Sequence, residues 1–313
     1  MQDEIKLTKN SLKELLKNKN NRAILYKWLK SELAYTSNAI EGNTLTKKET
    51  ELVIEEHLTS SSKPFVYYQE AVNHAKAFER VIEIIKENLP INEKEILNIH
   101  KIILNGINDT NAGFYRDCMV RISGSRTILP NPIKVPALMA EFCKWLAEQN
   151  LSNPITAILA HLKFVSIHPF VDGNGRCARL LMNLLLLKAG YTPIIIRKTD
   201  RKRYLDIIEK AQITEDTSAY IKYMEKILIR SMKTVIDILD TSKAEVSKKD
   251  LLTIAKFAKF VGLPVSTIRY WVQQNKFKPY SYTASGYMLF SKQQKEDIKN
   301  IKSVFIIKNE RTN

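Results

Sequence analysis

The chain has 313 residues, a formal net charge of +16, 44% hydrophobic residues and 26% charged residues. This length allows a sizeable core and more than one domain, and the composition is that of an ordinary soluble globular protein. The three cysteines, Cys118, Cys143 and Cys177, form no CxxC pair, so the sequence predicts neither a disulfide framework nor a zinc site.

The first twenty residues contain no apolar stretch behind their charges, so we expect no signal peptide. The most apolar run, Leu180–Leu187, is interrupted by Asn183 and is too short to span a bilayer. This run predicts a buried helix. Together with the cysteine count, these features lead us to expect a cytoplasmic protein that has reduced thiols and no membrane partner.

Helical spacing dominates most of the chain, and apolar residues recur three or four positions apart. The clearest such segments are Leu25–Leu33, Leu138–Leu146, Ile155–Ile167 and Tyr220–Leu239. An early helix is predicted to end at Glu41-Gly42, because glycine suits the left-handed position after a helix. Glu41 would lie in the last turn, where the helix dipole disfavours a carboxylate. The spacing alone favours an exposed and unpaired Glu41 side chain.

The segment Asn111–Val135 departs from the helical pattern. It contains Gly113, Gly124, two prolines and the alternating sequence MVRIS at 119–123. A stretch in which apolar and polar residues alternate, with glycines and prolines on either side, is typical of β-strands. The sequence therefore predicts a short β-hairpin or flap here.

The segment His168–Arg179, HPFVDGNGRCAR, lies between two apolar helices. Its two glycines permit a close backbone approach, and successive N–H groups at a helix N-terminus bind anions. Arg176 and Arg179 are three positions apart on the new helix, so both can face one ligand. The pattern predicts a phosphate cradle with two guanidinium clamps.

Two further side chains in this segment suggest chemistry. The Asp172 carboxylate suits Mg²⁺, which often takes one or two carboxylates together with substrate phosphates. His168 can accept a proton from a hydroxyl at neutral pH. Each feature alone is usually structural. A chance match of nine specified residues is rarer than about one in 10⁹ per position.

This segment resembles the Fic family signature, HPFx[D/E]GNGRxxR, at every specified position. Gly113–Arg116, Gly190-Tyr191 and Arg201–Tyr204 are also similar to Fic sequences, and the resemblance covers about Ser60–Asp240. It implies an all-α core with a short β-hairpin flap. It also implies a protein adenylyltransferase that moves AMP from ATP to a Ser, Thr or Tyr hydroxyl of a target protein or of itself.

The resemblance implies a role for each matched residue. His168 would deprotonate the hydroxyl, Asp172 would hold Mg²⁺ and Arg179 would bind the γ-phosphate. The other implied nucleotide-binding residues come from the motif, the flap and a later helix: Gly173, Asn174, Gly175 and Arg176; Gly124, Ser125, Arg126 and Thr127; Tyr204 and Gln212. The last two would contact the adenosine, although asparagine is frequent in place of Gln212. The flap would also dock the target by strand addition.

The early helix end acquires a function through the same resemblance. Ser37, Glu41 and Gly42 fit the family's inhibitory motif, [S/T]xxxE[G/N]. The resemblance implies that Glu41 pairs with Arg179 and fills the γ-phosphate seat, which gives an autoinhibited enzyme. In some inhibited relatives the same glutamate positions a water that removes AMP from modified targets, and the sequence leaves this reverse reaction open.

The last quarter of the chain carries over half of the net charge, with fourteen basic and five acidic residues from Lys243 to the end. Leu252–Gly262 predicts a helix, Ser266 predicts the N-cap of a second helix, and Tyr280–Phe290 predicts a hairpin. These residues resemble the winged helix-turn-helix of MerR-type regulators. The resemblance implies DNA as a candidate partner through Arg269, Gln273 and Lys276, and a domain that only docks protein is the alternative.

The sequence therefore predicts an N-terminal helical region over 1–60, a Fic core over 61–240 and a winged helix-turn-helix domain over 248–313. Two other functions stay open at this stage. The chain could be a DNA-associated regulator whose Fic core only senses ATP. It could also transfer another phosphate-containing group. Relatives that act as kinases have lysine in place of Gly175, so the glycine in this sequence favours AMP transfer. The motif does not exclude transfer of phosphocholine. A homodimer is a further candidate assembly.

Overall fold

The computed structural model describes residues 2–59, 63–239 and 251–298, apart from 275, 283–286 and 296. Contacts divide the chain into two compact units, Met1–Asp240 and Thr241–Asn313. The first unit thus joins the predicted regions 1–60 and 61–240 around a large hydrophobic core, with residues from Ile5 to Leu239, and a smaller cluster that includes Leu45 and Tyr68.

The described part of the first unit is helical. Its ten α-helices are α1 Gln2–Leu15, α2 Lys19–Ile40, α3 Lys47–Glu56, α4 Phe65–Lys86, α5 Glu93–Leu104, α6 Val135–Ala147, α7 Pro154–Ile167, α8 Asn174–Lys188, α9 Arg201–Thr214 and α10 Ser218–Leu239. Short 3₁₀ turns precede α6 and α9 at Pro132–Lys134 and Lys198–Asp200. Side-chain caps set several helix starts: a capping box joins Thr46 and Glu49 at α3, and Asn153 caps α7 directly before Pro154.

Helix α8 lies at the centre of this unit. It packs against α7, α4, α5 and α2, and Leu180, Leu181, Leu184 and Leu185 are at most 1% exposed. The predicted buried helix over Leu180–Leu187 is confirmed. Because the first turn of α8 carries the end of the glycine-rich segment, the site is built on a buried and closely packed helix.

The flap does not form the predicted hairpin. Between residues 105 and 131, all of which are described, no strand is assigned. The chain makes a turn at Ser123-Gly124, in which the N–H of Ser125 donates to Ile122 O at 3.1 Å. Val120 and Ile122 of the alternating sequence are partly buried, but the segments on the two sides of the turn do not pair with each other, so no hairpin forms.

The second unit contains β1 Leu251–Thr253, α11 Ile254–Val261, α12 Val265–Gln273, β2 Ser281–Tyr282 and β3 Met288–Ser291. The strands form one antiparallel sheet in the order β1-β3-β2, with Leu252 opposite Phe290 and Ser281 opposite Leu289. Three stacked rings, Phe257, Phe277 and Phe290, fill its core.

This unit corrects two details of the sequence prediction. Leu251–Thr253 is a strand because it pairs with β3, so α11 begins at Ile254. Helix α12 begins at Val265 with Pro264 as its N-cap, and no side chain caps it, so Ser266 is not the N-cap. The two helices, the turn at Gly262 and the hairpin are otherwise as predicted. Across the described ranges, no helix is both long enough and apolar enough to cross a membrane.

Candidate active site

The segment that carries the motif folds into a tight loop between α7 and α8. His168 ends α7 in the left-handed region with φ 52°, and its N–H donates to Phe164 O at 2.9 Å. Gly173 precedes α8 with φ 78°. A left-handed histidine is uncommon, and the surrounding contacts must hold it there. The two left-handed residues turn the chain so that the His168 side chain and the N-terminus of α8 face the same cavity.

Asn174 closes this loop from inside. Its Oδ1 accepts from the N–H of Phe170 at 2.9 Å, and its Nδ2 donates to Phe170 O at 2.8 Å. The side chain is 3% exposed and does not line the cavity. Asn174 thus fixes the loop through its side chain, so only its backbone is left for a phosphate.

His100 of α5 supports the loop by bonding to its backbone at Asp172 and to the backbone of Gly113. The N–H of Gly113 donates to Nδ1 at 3.0 Å, so Nε2 carries the proton and donates to Asp172 O at 2.9 Å. The imidazole also stacks on Phe170 with ring centroids 3.5 Å apart. Burial lowers the pKa of His100 to about 4, so this ring is neutral and its tautomer is set.

Arg116 ties the loop to the base of the flap. Its Nε donates to His168 O at 2.8 Å and its Nη2 to Pro130 O at 2.6 Å. The side chain is only 2% exposed. Arg116, which belongs to a segment that the resemblance singled out, therefore holds His168 in place through the backbone.

His168 has one ring nitrogen free to accept a proton. Its Nδ1–H donates to Val165 O at 3.3 Å, since a carbonyl can only accept. Nε2 is then the bare nitrogen. Burial lowers the pKa of His168 below its ordinary value and outweighs the hydrogen bond to Val165, which raises it. The imidazole is neutral at pH 7 and can act as a base.

Arg179 lies in the second turn of α8 and is held from α2. Its Nε donates to Ser37 Oγ at 2.9 Å, and its Nη2 donates to Ser37 O at 3.0 Å and to Glu41 Oε1 at 2.6 Å. Burial lowers the pKa of Arg179, but Glu41 and Tyr204 outweigh it and raise the value. Glu41 is the C-cap residue of α2, one position beyond the predicted last turn, and Gly42 follows with φ 101°.

Arg176 is also engaged by carboxylates. Its Nη1 donates to Glu70 Oε1 at 2.9 Å and its Nη2 to Asp172 Oδ2 at 3.2 Å. The other Glu70 oxygen accepts from Asn43 Nδ2 at 2.8 Å. Both arginines of the motif are thus paired with carboxylates, and a phosphate would compete with those carboxylates for the guanidinium groups.

A cavity of about 360 Å³ opens in front of these groups. This volume is within the range of small-molecule sites. Eight of the residues predicted from the sequence line it: Glu41, Gly124, Ser125, His168, Gly175, Arg179, Tyr204 and Gln212. The other predicted residues do not line it: Ser37, Gly42, Arg126, Thr127, Asp172, Gly173, Asn174 and Arg176.

The flap and α9 form the far wall of the cavity. Thr127 Oγ1 donates to Gln212 Oε1 at 2.9 Å, and the N–H of Arg126 donates to Glu209 Oε1 at 2.6 Å. Glu209 and Arg201 also line the cavity. The sequence analysis gave neither a site role, although Arg201 begins a segment that resembles Fic sequences. Arg201 Nε donates to Ile40 O at 2.7 Å at the end of α2. Helical spacing alone gives no signal for such a contact.

The residues around Asp172 fit a Mg²⁺ ion that arrives with a nucleotide. The Asp172 side chain is 57% exposed, so an oxygen is accessible. Among the described residues, no group of three or more His, Cys, Asp or Glu side chains could hold a metal by itself. Mg²⁺ commonly completes its coordination with substrate phosphates and water, so one carboxylate at the mouth of a phosphate cradle is a suitable donor.

The family comparison agrees with this geometry. The profile of the Fic/DOC family matches residues 90–186, which include α5, the flap, α7, the loop and most of α8. This part of the chain is similar to Fic domains. The profile of the MerR family regulatory proteins matches residues 253–290 of the second unit.

Similar proteins extend the comparison beyond the Fic profile. "Protein adenylyltransferase Fic" of Drosophila erecta is 36% identical over 180 residues, and that of Drosophila melanogaster is 37% identical over 180 residues. Each alignment covers 56% of this chain but 36% of the fly protein, so the chain spans little more than a third of these relatives.

Two solved structures share the fold. A Fic domain containing signaling protein from Bacteroides thetaiotaomicron superposes with a TM-score of 0.67 at 26% identity, covering 76% of this chain and 98% of that one. Fic-1 (residues 134–508) from C. elegans gives 0.66 at 26% identity, with 77% and 73% covered.

Proposed function

We propose that this protein transfers AMP from ATP to a hydroxyl side chain of a target protein. One observation carries the proposal. In a region that is similar to Fic domains and whose relatives are named protein adenylyltransferases, a single cavity brings together a neutral His168 with a bare Nε2, the N-terminus of α8 and the Arg179 guanidinium. A base, an anion-binding helix end and a cationic clamp are the parts that nucleotidyl transfer needs.

The reaction is an in-line displacement at the α-phosphorus. The target hydroxyl oxygen bonds to that phosphorus, and His168 Nε2 takes the hydroxyl proton. The bond from the α-phosphorus to its bridging oxygen breaks, and pyrophosphate leaves. The backbone N–H groups at the start of α8 and the two arginines would hold the phosphates in line. Mg²⁺, bound through Asp172, would neutralise the phosphate charge.

Glu41 would act as a brake on this reaction. Its carboxylate pairs with Arg179 at 2.6 Å inside the cavity, where it occupies the guanidinium that would otherwise clamp the γ-phosphate. Arg179 is 5% exposed, and a buried guanidinium without an anion is strongly unfavourable. A γ-phosphate can take over from the carboxylate only when Glu41 has withdrawn.

The test compares four full-length proteins incubated with labelled ATP, Mg²⁺ and cell lysate: wild type, Glu41→Gly, Glu41→Gly/His168→Ala and the control Glu56→Gly. Glu56 lies at the end of α3, away from the cavity lining. We expect labelling of target and self to rise only in Glu41→Gly, and to vanish when His168 is also replaced. Persistent labelling without His168 would exclude this residue as the base. Equal labelling of wild type and Glu41→Gly would exclude the brake. No labelling in any protein, with ATP bound, would favour an ATP-sensing regulator.

The same proteins address two finer questions. Mass spectrometry of the labelled protein separates an adenylyl group from a phosphoryl or phosphocholine group. AMP-modified target incubated with wild type tests the reverse reaction, because Glu41 and His168 line one cavity. AMP release by wild type and not by Glu41→Gly would establish that reaction, and no release under any metal condition would exclude it.

We further propose that the second unit binds DNA through α12. The MerR profile match supports this, and Arg269 and Gln273 are both exposed on α12. Lys276 is exposed just beyond the helix, with its ammonium 5.7 Å from the Tyr270 ring centre. A gel shift with genomic fragments should give binding that weakens steeply with salt. Arg269→Ala should reduce it. An absence of binding at low salt would favour a protein-docking domain.

A further inference from the structure

A carboxylate of α4 connects two parts of the site. One oxygen of Glu70 accepts from Arg176 Nη1 at 2.9 Å, and the other accepts from Asn43 Nδ2 at 2.8 Å. Arg176 lies in the first turn of α8, and Asn43 follows shortly after Ile40, the last residue of α2. The Glu70 side chain is 16% exposed, and the Asn43 and Arg176 residues are 4% and 3% exposed. Water therefore competes little for these hydrogen bonds.

The Asn43 side chain fixes the backbone that follows α2. Its Nδ2 donates to Tyr67 O at 3.0 Å as well as to the carboxylate, and its Oδ1 accepts from the N–H of Leu45 at 2.9 Å. The backbone N–H of Asn43 donates to Asn38 O at 3.0 Å, in the last turn of α2. Both hydrogens of the amide nitrogen are therefore used. Asn43 thus joins the end of α2 to α4, through its backbone on one side and its side chain on the other.

The inhibitory segment, which we define as Glu41–Asn43, is thus attached to α8 at two points. Glu41 binds Arg179 directly at 2.6 Å, and Asn43 is connected to Arg176 through Glu70. The Glu41 side chain is 39% exposed, so its pair with Arg179 is worth less than a fully buried pair. The second attachment is more buried than the first. It restrains the inhibitory segment at the place where the first pair can form.

We propose that Glu70 is a positioning residue, which keeps Glu41 opposite Arg179 by tying the inhibitory segment to α8. The inference rests on the proposed role of Glu41 as a brake. Position 70 requires a carboxylate for this task, because both neighbours of the side chain, Asn43 Nδ2 and Arg176 Nη1, are donors. Only a group with two accepting oxygens can serve both of them.

Two substitutions break this connection from opposite ends, and together they partly restore it. Glu70→Gln keeps the size of the side chain, but its single oxygen can accept from only one neighbour, and its NH₂ group then faces the other donor. Asn43→Asp places a second carboxylate against Glu70, and the like charges repel each other. In the double variant, the new amide can donate to the new carboxylate and still accept from Arg176. Rescue by the second substitution therefore tests the hydrogen-bonding pattern itself.

The measurement is amide hydrogen exchange of the peptide 38–45, followed by mass spectrometry in the full-length proteins without nucleotide. Exchange reports local opening of this segment. We expect it to be about tenfold faster in each single variant, as loss of one hydrogen bond to a charged group implies, and slower in the double variant than in either single one. Glu95→Gln is the matched control. The Glu95 side chain is 13% exposed and binds Arg80 Nη2 at 2.8 Å, so its replacement should leave exchange of this peptide unchanged.

The inference is overturned if neither single variant speeds exchange, if Glu95→Gln speeds it as much, or if the double variant exchanges at least as fast as the faster single one. Basal self-labelling gives a second readout. Asn43→Asp should raise it, because the contact between Glu70 and Arg176 is kept while the inhibitory segment is released. Unchanged labelling would overturn the inference where Glu41→Gly is active.

Exchange without nucleotide needs no turnover, so the inference and the proposed function can fail separately. Faster exchange in the single variants and rescue in the double variant would support the inference even if Glu41→Gly transferred no AMP, a result that would refute the proposed function. Active transfer by Glu41→Gly, together with exchange that does not respond to Glu70→Gln or Asn43→Asp, would refute the inference and leave the proposed function standing.

Discussion

The effect of Gly175→Ala on the free energy of unfolding should depend on the residue at position 41. The substitution should destabilise the wild type and should not destabilise Glu41→Gly. Gly175 lies in the first turn of α8, and a Cβ built there would overlap Glu41 Oε1 and lie 3.0 Å from Arg179 Nη1. The methyl group therefore displaces the Glu41 carboxylate and loosens its pair with Arg179. Removing one partner of a fully buried pair costs about 3–5 kcal/mol. The Glu41 side chain is 39% exposed, so we expect Gly175→Ala to lower the free energy of unfolding of the wild type by about 1–3 kcal/mol.

The Glu41→Gly background removes the overlapping carboxylate. There, alanine at position 175 has the ordinary advantage over glycine in a helix, up to about 1 kcal/mol. Gly175→Ala should thus lower the melting temperature of the wild type and leave that of Glu41→Gly unchanged or raise it. A change of 1 kcal/mol shifts the melting temperature of a domain of this size by about 2–4 °C.

Thermal unfolding of the four proteins without nucleotide measures the coupling between the two positions. Glu41→Gln is the steric control, because it keeps the size of the side chain and loses the charge. Gly175→Ala should remain destabilising in that background. Additive effects in the Glu41→Gly cycle would refute the packing of Glu41 against Gly175.

Three other predictions follow from the contacts around the cavity. Burial lowers the pKa of His168, and the neutral form is the base, so transfer by Glu41→Gly should be constant above pH ~6.5 and fall at lower pH; a midpoint above pH 7 in the rate profile would contradict this. Ser37→Ala removes the acceptor for Arg179 Nε and should therefore raise basal AMP transfer severalfold in a self-labelling assay, though less than Glu41→Gly does. An unchanged rate would show that the Ser37 hydroxyl does not contribute to the inhibition. His100→Leu leaves the Gly113 N–H and Asp172 O without partners and should destabilise the protein by about 2–4 kcal/mol in denaturant unfolding; a loss below about 1 kcal/mol would show that the loop does not depend on this imidazole.

The parts of the site that could be predicted are each formed by residues that are neighbours in the sequence. The loop His168–Arg179 and the helix end at Glu41-Gly42 are local patterns, and the structure has turns and helix ends at those positions. The contact between Glu41 and Arg179 joins residues 138 positions apart. Only the family resemblance suggested that contact, because the local pattern favoured an exposed carboxylate.

The supporting contacts were not predictable, because each depends on tertiary packing. His100 is one of several histidines on apolar helix faces, and nothing in its own segment indicates that it supports Asp172 from 72 positions away. Asn174 looks like a ligand residue in the motif, but its amide closes the loop on Phe170. The alternation at 119–123 suggested a hairpin, yet a strand also needs a partner, and the flap has none.

The most direct test of the central claim uses ATP labelled at two positions. Full-length Glu41→Gly is incubated with ATP carrying the label in the α-phosphate or in the γ-phosphate, and incorporation into the protein itself is measured with and without His168→Ala. The account predicts label from the α-position only, at a rate well above that of wild type, and none without His168. Label from the γ-position, or equal labelling of wild type and Glu41→Gly, would contradict AMP transfer restrained by Glu41.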